Sequence, residues 1–455
     1  MVHSATLWSI LLVATCSLLA VVESREVVCY YGSWAAGRTG YATFTPDDIN
    51  PSLCTQLNYA FLDIESNGTL KNGFNTNTIA KFNDLKKKNP ALKTLAAVGG
   101  WNAGKSFKTV AANAQLRTTF AKNAVAFLQK YRFDGMDIDW EYPAQADMAN
   151  FVLFLKELAN AFAPYKYLLT VAVPGPETAT SVAYDARAIS SIVSFINLMT
   201  YDMQGDFGVA RHHAALYPGS AAVDDTYFKR QLNAEACVKF WINKGAQASK
   251  LTLGVPFYGR SYKLANPKMD GVGVPVTGPA AARPYTAEAG TMAYHEMCTS
   301  VGYKRQYDSV QGAAIVSGNG EWVSYDSVQS ITQKCNLISQ YGLGGGMVWA
   351  IDLDDITGAC GPKFVLLTAL NNCVNVNTSG ATTTTAKPGA ATTVKAVTSA
   401  PGTFVCTRDG YFRDPSNCGK YYRCLSGYKY EFNCPSGLYF SEANTACDYP
   451  ANVKC

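Results

Sequence analysis

Short apolar, β-prone runs alternate with helix-like stretches along most of the chain, and this alternation limits the possible folds more than any other feature. Eight such runs occupy residues 27–31, 57–61, 95–98, 135–139, 168–173, 195–199, 251–255 and 347–351. Helix-like stretches, such as residues 118–128 and 149–163, lie between most of them. Strands that alternate with helices form parallel sheets, so the pattern predicts an α/β protein with a (β/α)8 TIM barrel.

The gap between the seventh and eighth runs exceeds 90 residues and contains Tyr294, Trp322 and many turn residues. We therefore expect an α+β insertion after strand seven, at about residues 263–335. An open doubly wound sheet is the alternative, but it normally carries a glycine-rich turn after its first strand. The sequence Gly32-Ser33-Trp34 is not a turn of that kind.

Residues 1–24 have the pattern of a signal peptide, with an apolar run over residues 7–22 and small residues before Arg25. Their initial segment carries His3 but no lysine or arginine. A single membrane anchor is the alternative, although sixteen residues are short for a bilayer span. We predict a secreted, extracellular protein, and Asn67 and Asn377 then become glycosylation acceptors.

The C-terminal part of the chain separates by composition. Residues 374–403 are rich in threonine and nearly lack large apolar side chains, which predicts an extended linker after a catalytic unit at residues 25–373. Residues 404–455 hold six of the fourteen cysteines, namely Cys406, Cys418, Cys424, Cys434, Cys447 and Cys455. So short a segment cannot build an independent apolar core, so disulfides must stabilise it, and fifteen pairings are possible.

Charge and motifs exclude several classes of function. With 39 Lys and Arg against 34 Asp and Glu, the net charge of +5 and the lack of basic runs argue against a nucleic-acid partner. No further segment is long and apolar enough for a membrane partner. After residue 24 the histidines are His212, His213 and His295, without metal-ligand spacing, and no P-loop or nucleophile elbow occurs. We expect no metal, no cofactor and a monomer.

The fourth run contains the most informative segment, Asp-Gly-Met-Asp-Ile-Asp-Trp-Glu at residues 134–141. Strand side chains alternate between faces, so one face carries Asp137, Asp139 and Glu141. The opposite face is apolar and suits packing against helices. The three carboxyl groups then line the barrel interior, with Glu141 nearest the C-terminal mouth, where barrel active sites lie.

Neighbouring carboxyl groups on one strand face, about 6–7 Å apart, shift one another's pKa values. The carboxyl group at the mouth can stay protonated near neutral pH and donate a proton to a leaving oxygen. Two alternatives are a site for a hard cation and a solvated acidic edge. The apolar opposite face argues against the solvated edge.

Residues 134–141 resemble the characteristic segment of family 18 glycoside hydrolases, the chitinases. Further segments resemble the family's first, third, sixth, seventh and eighth strands: residues 28–34, 97–102, 197–202, 254–260 and 345–352. The resemblance implies that Glu141 is the general acid and later the general base. It also implies that the substrate's own 2-acetamido oxygen is the nucleophile, outside the usual two-carboxylate scheme.

The resemblance also implies roles for other residues. Asp139 would orient the acetamido group, Asp137 would share a proton with Asp139, and Tyr201 would help position the substrate. Trp349 would form the floor of the pocket. The other sugar-contacting candidates are Tyr30, Trp34, Phe61, Gly100, Trp101, Met199, Asp202, Tyr258, Arg260 and Glu296. Each aromatic candidate has a core position as its alternative, and for Phe61 that alternative is equally good.

Cysteine pairing follows from the resemblance only in part. Cys29–Cys54 and Cys298–Cys360 match bridges of the family. Ser52 replaces one family cysteine, so Cys373 lacks its usual partner, and Cys335 is a candidate. Cys237 then remains as a buried thiol. Another departure is Gln204, which stands where the family has histidine in Asp-Leu-His-Gly.

The cysteine-rich module resembles the peritrophin-A type of chitin-binding domain. That resemblance implies the pairs Cys406–Cys424, Cys418–Cys455 and Cys434–Cys447. Tyr428, Tyr430 and Phe432 alternate along a predicted strand and would present an aromatic face to a polymer. We therefore expect a secreted chitinase that binds chitin and chitooligosaccharides. A chitinase-like lectin and an endo-β-N-acetylglucosaminidase acting on N-glycans are the alternatives.

Overall fold

The computed structural model describes residues 25–376 except residues 72 and 206. In the C-terminal region it describes residues 404, 410–425, 428–434, 439–442, 446–448, 450 and 453. The predicted signal peptide and most of the predicted linker lie outside these residues. The chain divides near residue 382 into two compact units.

Fourteen strands in the first unit form a barrel and a second sheet. They are β1 (Glu26–Gly32), β2 (Gln56–Leu62), β3 (Lys93–Gly100), β4 (Gly135–Trp140), β5 (Leu168–Pro174), β6 (Phe195–Met199), β7 (Leu251–Pro256), β8 (Tyr258–Leu264), β9 (Val276–Pro279), β10 (Thr291–Ala293), β11 (Lys304–Asp308), β12 (Ala313–Gly318), β13 (Glu321–Tyr325) and β14 (Gly345–Trp349). The closed barrel has the order β1-β14-β7-β6-β5-β4-β3-β2, and its neighbouring strands are parallel. The predicted (β/α)8 barrel is therefore confirmed.

Eleven α-helices are described in the same unit. They are α1 (Thr76–Asp84), α2 (Gly104–Ala112), α3 (Ala114–Tyr131), α4 (Met148–Phe162), α5 (Glu177–Thr180), α6 (Ala186–Ile192), α7 (Tyr227–Arg230), α8 (Ala234–Asn243), α9 (Tyr294–Cys298), α10 (Val328–Gln340) and α11 (Val365–Val376). The helix α3 shows why the boundaries lie where they do. The Asn113 side chain caps its first turn by accepting the Leu116 N–H, and Arg132 ends it in the left-handed region.

The insertion after β7 is a six-stranded antiparallel sheet. Its path is β10-β8-β13-β12-β11, and β9 pairs with β8. The insertion starts at Tyr258, directly after β7, rather than near residue 263 as we expected. It ends at Tyr325, because α10 is already a barrel helix that packs beside β7 and β14. The eighth barrel strand likewise begins at Gly345, two residues before the predicted start.

The barrel strands are buried on both faces, which explains their continuous apolar character. The strand β3 approaches β4 closely at Gly99. A Cβ atom at this position would lie 1.9 Å from the Asp139 carbonyl oxygen, and its φ is +126°. Glycine at residue 99 therefore lets β3 pair with the acidic strand.

The described residues of the first unit contain three disulfides: Cys29–Cys54, Cys298–Cys360 and Cys335–Cys373. The third joins α10 to α11 and gives Cys373 the partner that the sequence left open. Cys237 is a buried free thiol. Among the described residues, no helix is long and apolar enough to cross a bilayer.

The described residues of the second unit form two small antiparallel sheets. Its strands are β15 (Gly410–Asp414), β16 (Asn417–Leu425), β17 (Tyr428–Asn433), β18 (Tyr439–Ser441) and β19 (Ala446–Asp448). The first three form one sheet and the last two form the other. The rings of Tyr421 and Phe440 stack at 4.2 Å between centroids. Cys418 and Cys434 are disulfide-bonded. The three predicted pairs each include a cysteine that lies outside the described side chains.

Candidate active site

The acidic strand β4 divides its side chains between the two faces of the barrel wall. Asp137 and Asp139 point inward and are buried, at 0% and 3% exposure. On the outer face the Trp140 ring stacks on Phe107 of α2 and meets Phe151 of α4 edge to face. This packing fixes the register of β4, because a slip of one residue would place the carboxyl groups against the helices.

Asp137 is held by three donors from three other barrel strands. Its carboxylate accepts hydrogen bonds from the Tyr30 hydroxyl at 2.8 Å, the Thr170 hydroxyl at 2.5 Å and the Asn197 amide at 3.1 Å. Burial raises the pKa of Asp137 to about 6, although these donors oppose the shift. Asp137 is therefore a fixed, buried carboxyl group that titrates above the ordinary range of aspartate.

Asp139 lies one step nearer the mouth and lacks such support. Its Oδ1 is buried and has no hydrogen-bond partner among the described residues. Burial, followed by the charges of Glu141 and Asp137, raises its pKa well above the ordinary value. An unpaired buried carboxyl oxygen is costly, so a ligand N–H group that reached this atom would relieve the cost.

Glu141 follows the last residue of β4 and is half-buried. Burial raises the pKa of Glu141, the negative charge of Asp202 adds to the increase, and a hydrogen bond with Tyr142 opposes it. A glutamic acid with a raised pKa at the open end of a barrel can donate a proton to a substrate oxygen.

A cavity of about 730 Å³ opens above these carboxyl groups at the C-terminal end of the barrel. It is lined by Trp101, Asp139, Glu141, Tyr142, Pro174, Pro176, Ala179, Met199, Tyr201, Asp202, Tyr258, Arg260, Glu288 and Trp349. The structure thus brings together nine of the predicted site residues. The size and the aromatic lining suit a ligand of a few sugar rings.

Asp202 and Arg260 form a bidentate ion pair on one wall of the cavity. Two nitrogens of Arg260 donate to the Asp202 carboxylate: Nε lies 2.7 Å from Oδ1 and Nη2 lies 2.7 Å from Oδ2. Burial acts to raise the pKa of Asp202, but the contacts with His213 and with the Arg260 guanidinium outweigh it and hold the pKa well below the usual range. Asp202 is therefore an anion, and its pKa is shifted in the opposite direction to those of the carboxyl groups below it.

Tyr201 lies beside this pair and stays protonated, because burial and the charge of Asp139 raise its pKa well above the ordinary value. Its hydroxyl lies 3.8 Å from the Met347 sulfur. Trp349 closes the bottom of the cavity, with its ring centroid 5.4 Å from that of Phe61 and 5.5 Å from that of Tyr30. The floor is thus rigid and aromatic.

Several predicted contact residues do not line this cavity. Tyr30 is buried beneath Trp349 and acts through its hydrogen bond to Asp137. Gly100 leaves room for the Phe61 ring, which a Cβ atom would approach to 2.6 Å. Trp34 and Phe61 instead line an adjacent depression of about 590 Å³.

Glu296, which we expected to contact a sugar, is not among the residues that line the cavity. Its carboxylate is buried and accepts hydrogen bonds from the backbone N–H groups of Tyr285 and Ala293, at 2.8 and 3.1 Å, and from the Thr286 hydroxyl. Glu296 therefore shapes the insertion at the start of α9, and its hydrogen-bonding capacity is already used inside the protein.

Five residues that line the cavity were not predicted from the sequence. Tyr142 follows Glu141 directly, and its ring meets that of Trp101 edge to face. Glu288 belongs to the insertion, with a carboxylate oxygen 3.7 Å from Arg260 Nη1. Pro174 is the last residue of β5, and Pro176 and Ala179 lie in the segment after it. An aromatic residue directly after an acid was a usable signal for Tyr142, whereas the other four residues have none.

One group of potential metal ligands occurs among the described residues, at Cys298, Asp355 and Cys360. The two cysteines form a disulfide and Asp355 accepts backbone N–H groups from residues 358–360. In the second unit, Tyr428, Tyr430 and Phe432 fall on β17, but their side chains lie outside the described residues.

Comparisons with known proteins agree with this geometry. The family described as "Glycosyl hydrolases family 18" matches residues 26–354, and "Chitin binding Peritrophin-A domain" matches residues 406–455. Mouse chitotriosidase-1 is 35% identical over 94% of this chain and 96% of its own.

Two solved structures cover the barrel. A group IV chitinase of Ostrinia furnacalis, in complex with allosamidin, has a TM-score of 0.74 and 37% identity over 78% of this chain and 99% of its own. Human YKL-39, described as a pseudo-chitinase with retained chitooligosaccharide binding, has a TM-score of 0.73 and 33% identity over 77% of this chain and 100% of its own.

Proposed function

This chain belongs to family 18 of the glycosyl hydrolases, and from that premise we propose that it is a chitinase that hydrolyses β-1,4 N-acetylglucosamine linkages with retention of configuration. The observation that carries the proposal is the order of the carboxyl groups on β4. Asp137 is buried and hydrogen-bonded, Asp139 has an unpaired buried oxygen, and Glu141 lies at the mouth with a raised pKa.

In the proposed mechanism, Glu141 transfers the protons and Asp139 binds and stabilises the attacking acetamido group. Glu141, kept protonated by its raised pKa, donates its proton to the oxygen of the scissile bond. The acetamido oxygen of the sugar attacks the anomeric carbon, and Asp139 accepts the acetamido N–H at its free oxygen. Asp139 also stabilises the positive charge that develops on the acetamido group. Water then attacks, activated by the Glu141 carboxylate, and the bond keeps its β configuration.

The walls of the cavity position the sugar for that step. Tyr201 remains a hydroxyl donor and the Asp202–Arg260 pair supplies fixed acceptors and donors. Trp349 offers an aromatic face on which the apolar side of a sugar ring packs. Fixed orientation of an attacking group within the substrate gives much of the rate advantage of an intramolecular reaction.

The lectin alternative requires the loss of the acid, and Glu141 is present in the cavity. The C-terminal domain matches a chitin-binding family, so we propose that it holds the enzyme on solid chitin.

We also propose that the protein is secreted and that it is a monomer. The three disulfides and the apolar run over residues 7–22 support the secretion. The molar mass of the purified protein, measured by light scattering, tests whether it is a monomer.

The Glu141→Gln variant tests the proposal. It keeps the shape of the side chain but carries no acidic proton, so we expect hydrolysis of chitooligosaccharides to fall by about 10²-fold or more. Binding of the same oligomers, measured by calorimetry, should persist. The matched control is Glu288→Gln, an acid-to-amide change in the same cavity on the insertion. Undiminished turnover in Glu141→Gln, or an equal loss in both variants, would overturn the assignment of the acid.

A further inference from the structure

His213 is a buried imidazole that the proposed mechanism does not use. It is fully buried, and its Nδ1 lies 3.4 Å from two atoms of Asp202, the backbone nitrogen and the carboxylate Oδ1. Its own carbonyl oxygen accepts the Met203 N–H at 2.9 Å. His213 therefore holds the turn that presents Asp202 to the cavity from below.

That turn needs support because of its backbone conformation. Asp202 has a φ of +57°, in the left-handed region that non-glycine residues rarely adopt. Such a residue carries a conformational cost, and it persists only where its surroundings hold it. Arg260 holds the carboxylate from the cavity side, and His213 is the group that contacts both its backbone and its carboxylate.

We propose that His213 is a positioning residue for Asp202, and that its ring exchanges between a hydrogen bond to the Asp202 backbone and one to the Asp202 carboxylate. The inference rests on the proposed function, because it concerns how the same cavity binds a chitooligosaccharide. A neutral imidazole with a free Nδ1 lone pair accepts the Asp202 N–H. An imidazolium has no lone pair, so its Nδ1–H must donate to the carboxylate.

The groups around His213 determine whether its ring is neutral or protonated. Burial lowers the pKa of His213, and the charge of Arg260 adds to this, whereas Asp202 and Asp326 oppose it. Tyr258 contacts the ring at 5.1 Å between centroids, and Asp326 is itself ion-paired with Lys334. The imidazole is therefore neutral at neutral pH and gains its proton only in acid.

Protonation of His213 changes the capacity of the Asp202 carboxylate to accept a hydrogen bond from a sugar. The Asp202 Oδ1 that would accept the Nδ1–H already accepts from Arg260 Nε at 2.7 Å. A second charged donor on this oxygen reduces its capacity to accept a sugar hydroxyl. Oligosaccharide binding should therefore weaken in acid, by the worth of about one hydrogen bond, or roughly two- to ten-fold.

The test measures binding in the Glu141→Gln background, so that turnover does not interfere. Calorimetry with chitotetraose at about pH 4.5 and about pH 7 compares three proteins: Glu141→Gln alone, with His213→Asn, and with His213→Ala. Asparagine can accept the Asp202 N–H but cannot become a cation. The buried carboxyl groups Asp137 and Asp139 are present in all three proteins, so the comparison is between their pH effects. We expect the acid-induced rise in the dissociation constant to be about two- to ten-fold smaller for the asparagine variant than for the first protein. For the alanine variant we expect the dissociation constant to be raised at both pH values.

A purely structural role for His213 gives a different result. Both substitutions would then lower the melting temperature and weaken binding alike, and the asparagine variant would keep the acid effect. That result would overturn the inference. The titration of the His213 ring, followed by proton NMR, is a second readout. The Asp202→Asn variant removes the negative charge that favours the protonated ring, so the pKa of His213 should fall further. An unchanged titration would also contradict the inference. Failure of wild-type hydrolysis, by contrast, would count against the proposed function.

Discussion

Replacing Asp137 with asparagine tests whether the barrel interior holds a carboxyl group that is protonated in weak acid. Burial raises the pKa of Asp137 from 3.8 to about 6. A raised pKa in the folded state means that the folded protein binds the proton more tightly than the unfolded chain. The stabilisation of the folded protein by the proton on Asp137 is therefore complete below about pH 4, and it is lost as the pH rises through about 6.

The size of the effect follows from the shift. A difference of about 2 pKa units corresponds to about 3 kcal/mol of unfolding free energy. Asparagine does not titrate, so the advantage of wild type over Asp137→Asn should shrink by about 3 kcal/mol between about pH 4 and about pH 7. Thr170→Val removes a hydroxyl that stabilises the anion and should raise the pKa of Asp137 further, whereas Thr170→Ser keeps the donor.

Urea unfolding followed by tryptophan fluorescence measures this difference. Six of the seven tryptophans lie between residues 34 and 349 and the seventh is Trp8, so the emission reports the barrel unit. A difference between the proteins that stays constant with pH would refute the raised pKa. A wild-type advantage that grows toward neutral pH would show instead that the three donors stabilise the anion more than burial disfavours it.

Three further predictions concern other parts of the chain. Trp101→Ala should change the unfolding free energy by less than about 0.5 kcal/mol, because the ring is 75% exposed, while the affinity for chitohexaose falls by about two- to ten-fold in calorimetry. Cys335→Ala removes a bridge across 38 residues and should lower the unfolding free energy by up to about 4 kcal/mol, whereas Cys237→Ala gives the cost of a buried thiol without a bridge. Deleting residues 404–455 should weaken action on solid chitin and spare short soluble oligomers in a reducing-sugar assay; equal losses on both would show that this module stabilises the barrel.

Much of the fold could be predicted because the barrel depends on local patterns. Apolar runs and helical stretches mark the strands, and the alternation along β4 places Asp137 and Asp139 inside and Trp140 outside. The eighth strand was shifted by two residues because Gly345 and Gly346 lack the β-prone character that marks a strand in sequence.

The parts of the site that escaped prediction depend on contacts distant in sequence. The donors to Asp137 come from positions 33 to 107 residues away, and no local pattern links them. Glu296 was assigned to the cleft by resemblance, but a capping role inside the insertion depends on the path of the backbone, which the resemblance did not supply. The contact between His213 and Asp202 is likewise visible only in three dimensions.

In the proposed mechanism, the substrate's acetamido oxygen attacks while Glu141 protonates the leaving oxygen. Proton NMR of freshly cleaved chitotetraose tests it most directly, because it reports the anomer before mutarotation. We expect the new reducing ends to be β, and we expect the fully deacetylated oligomer, which lacks the attacking group, not to be cleaved. New ends in the α configuration, or equal cleavage of the deacetylated oligomer, would contradict it.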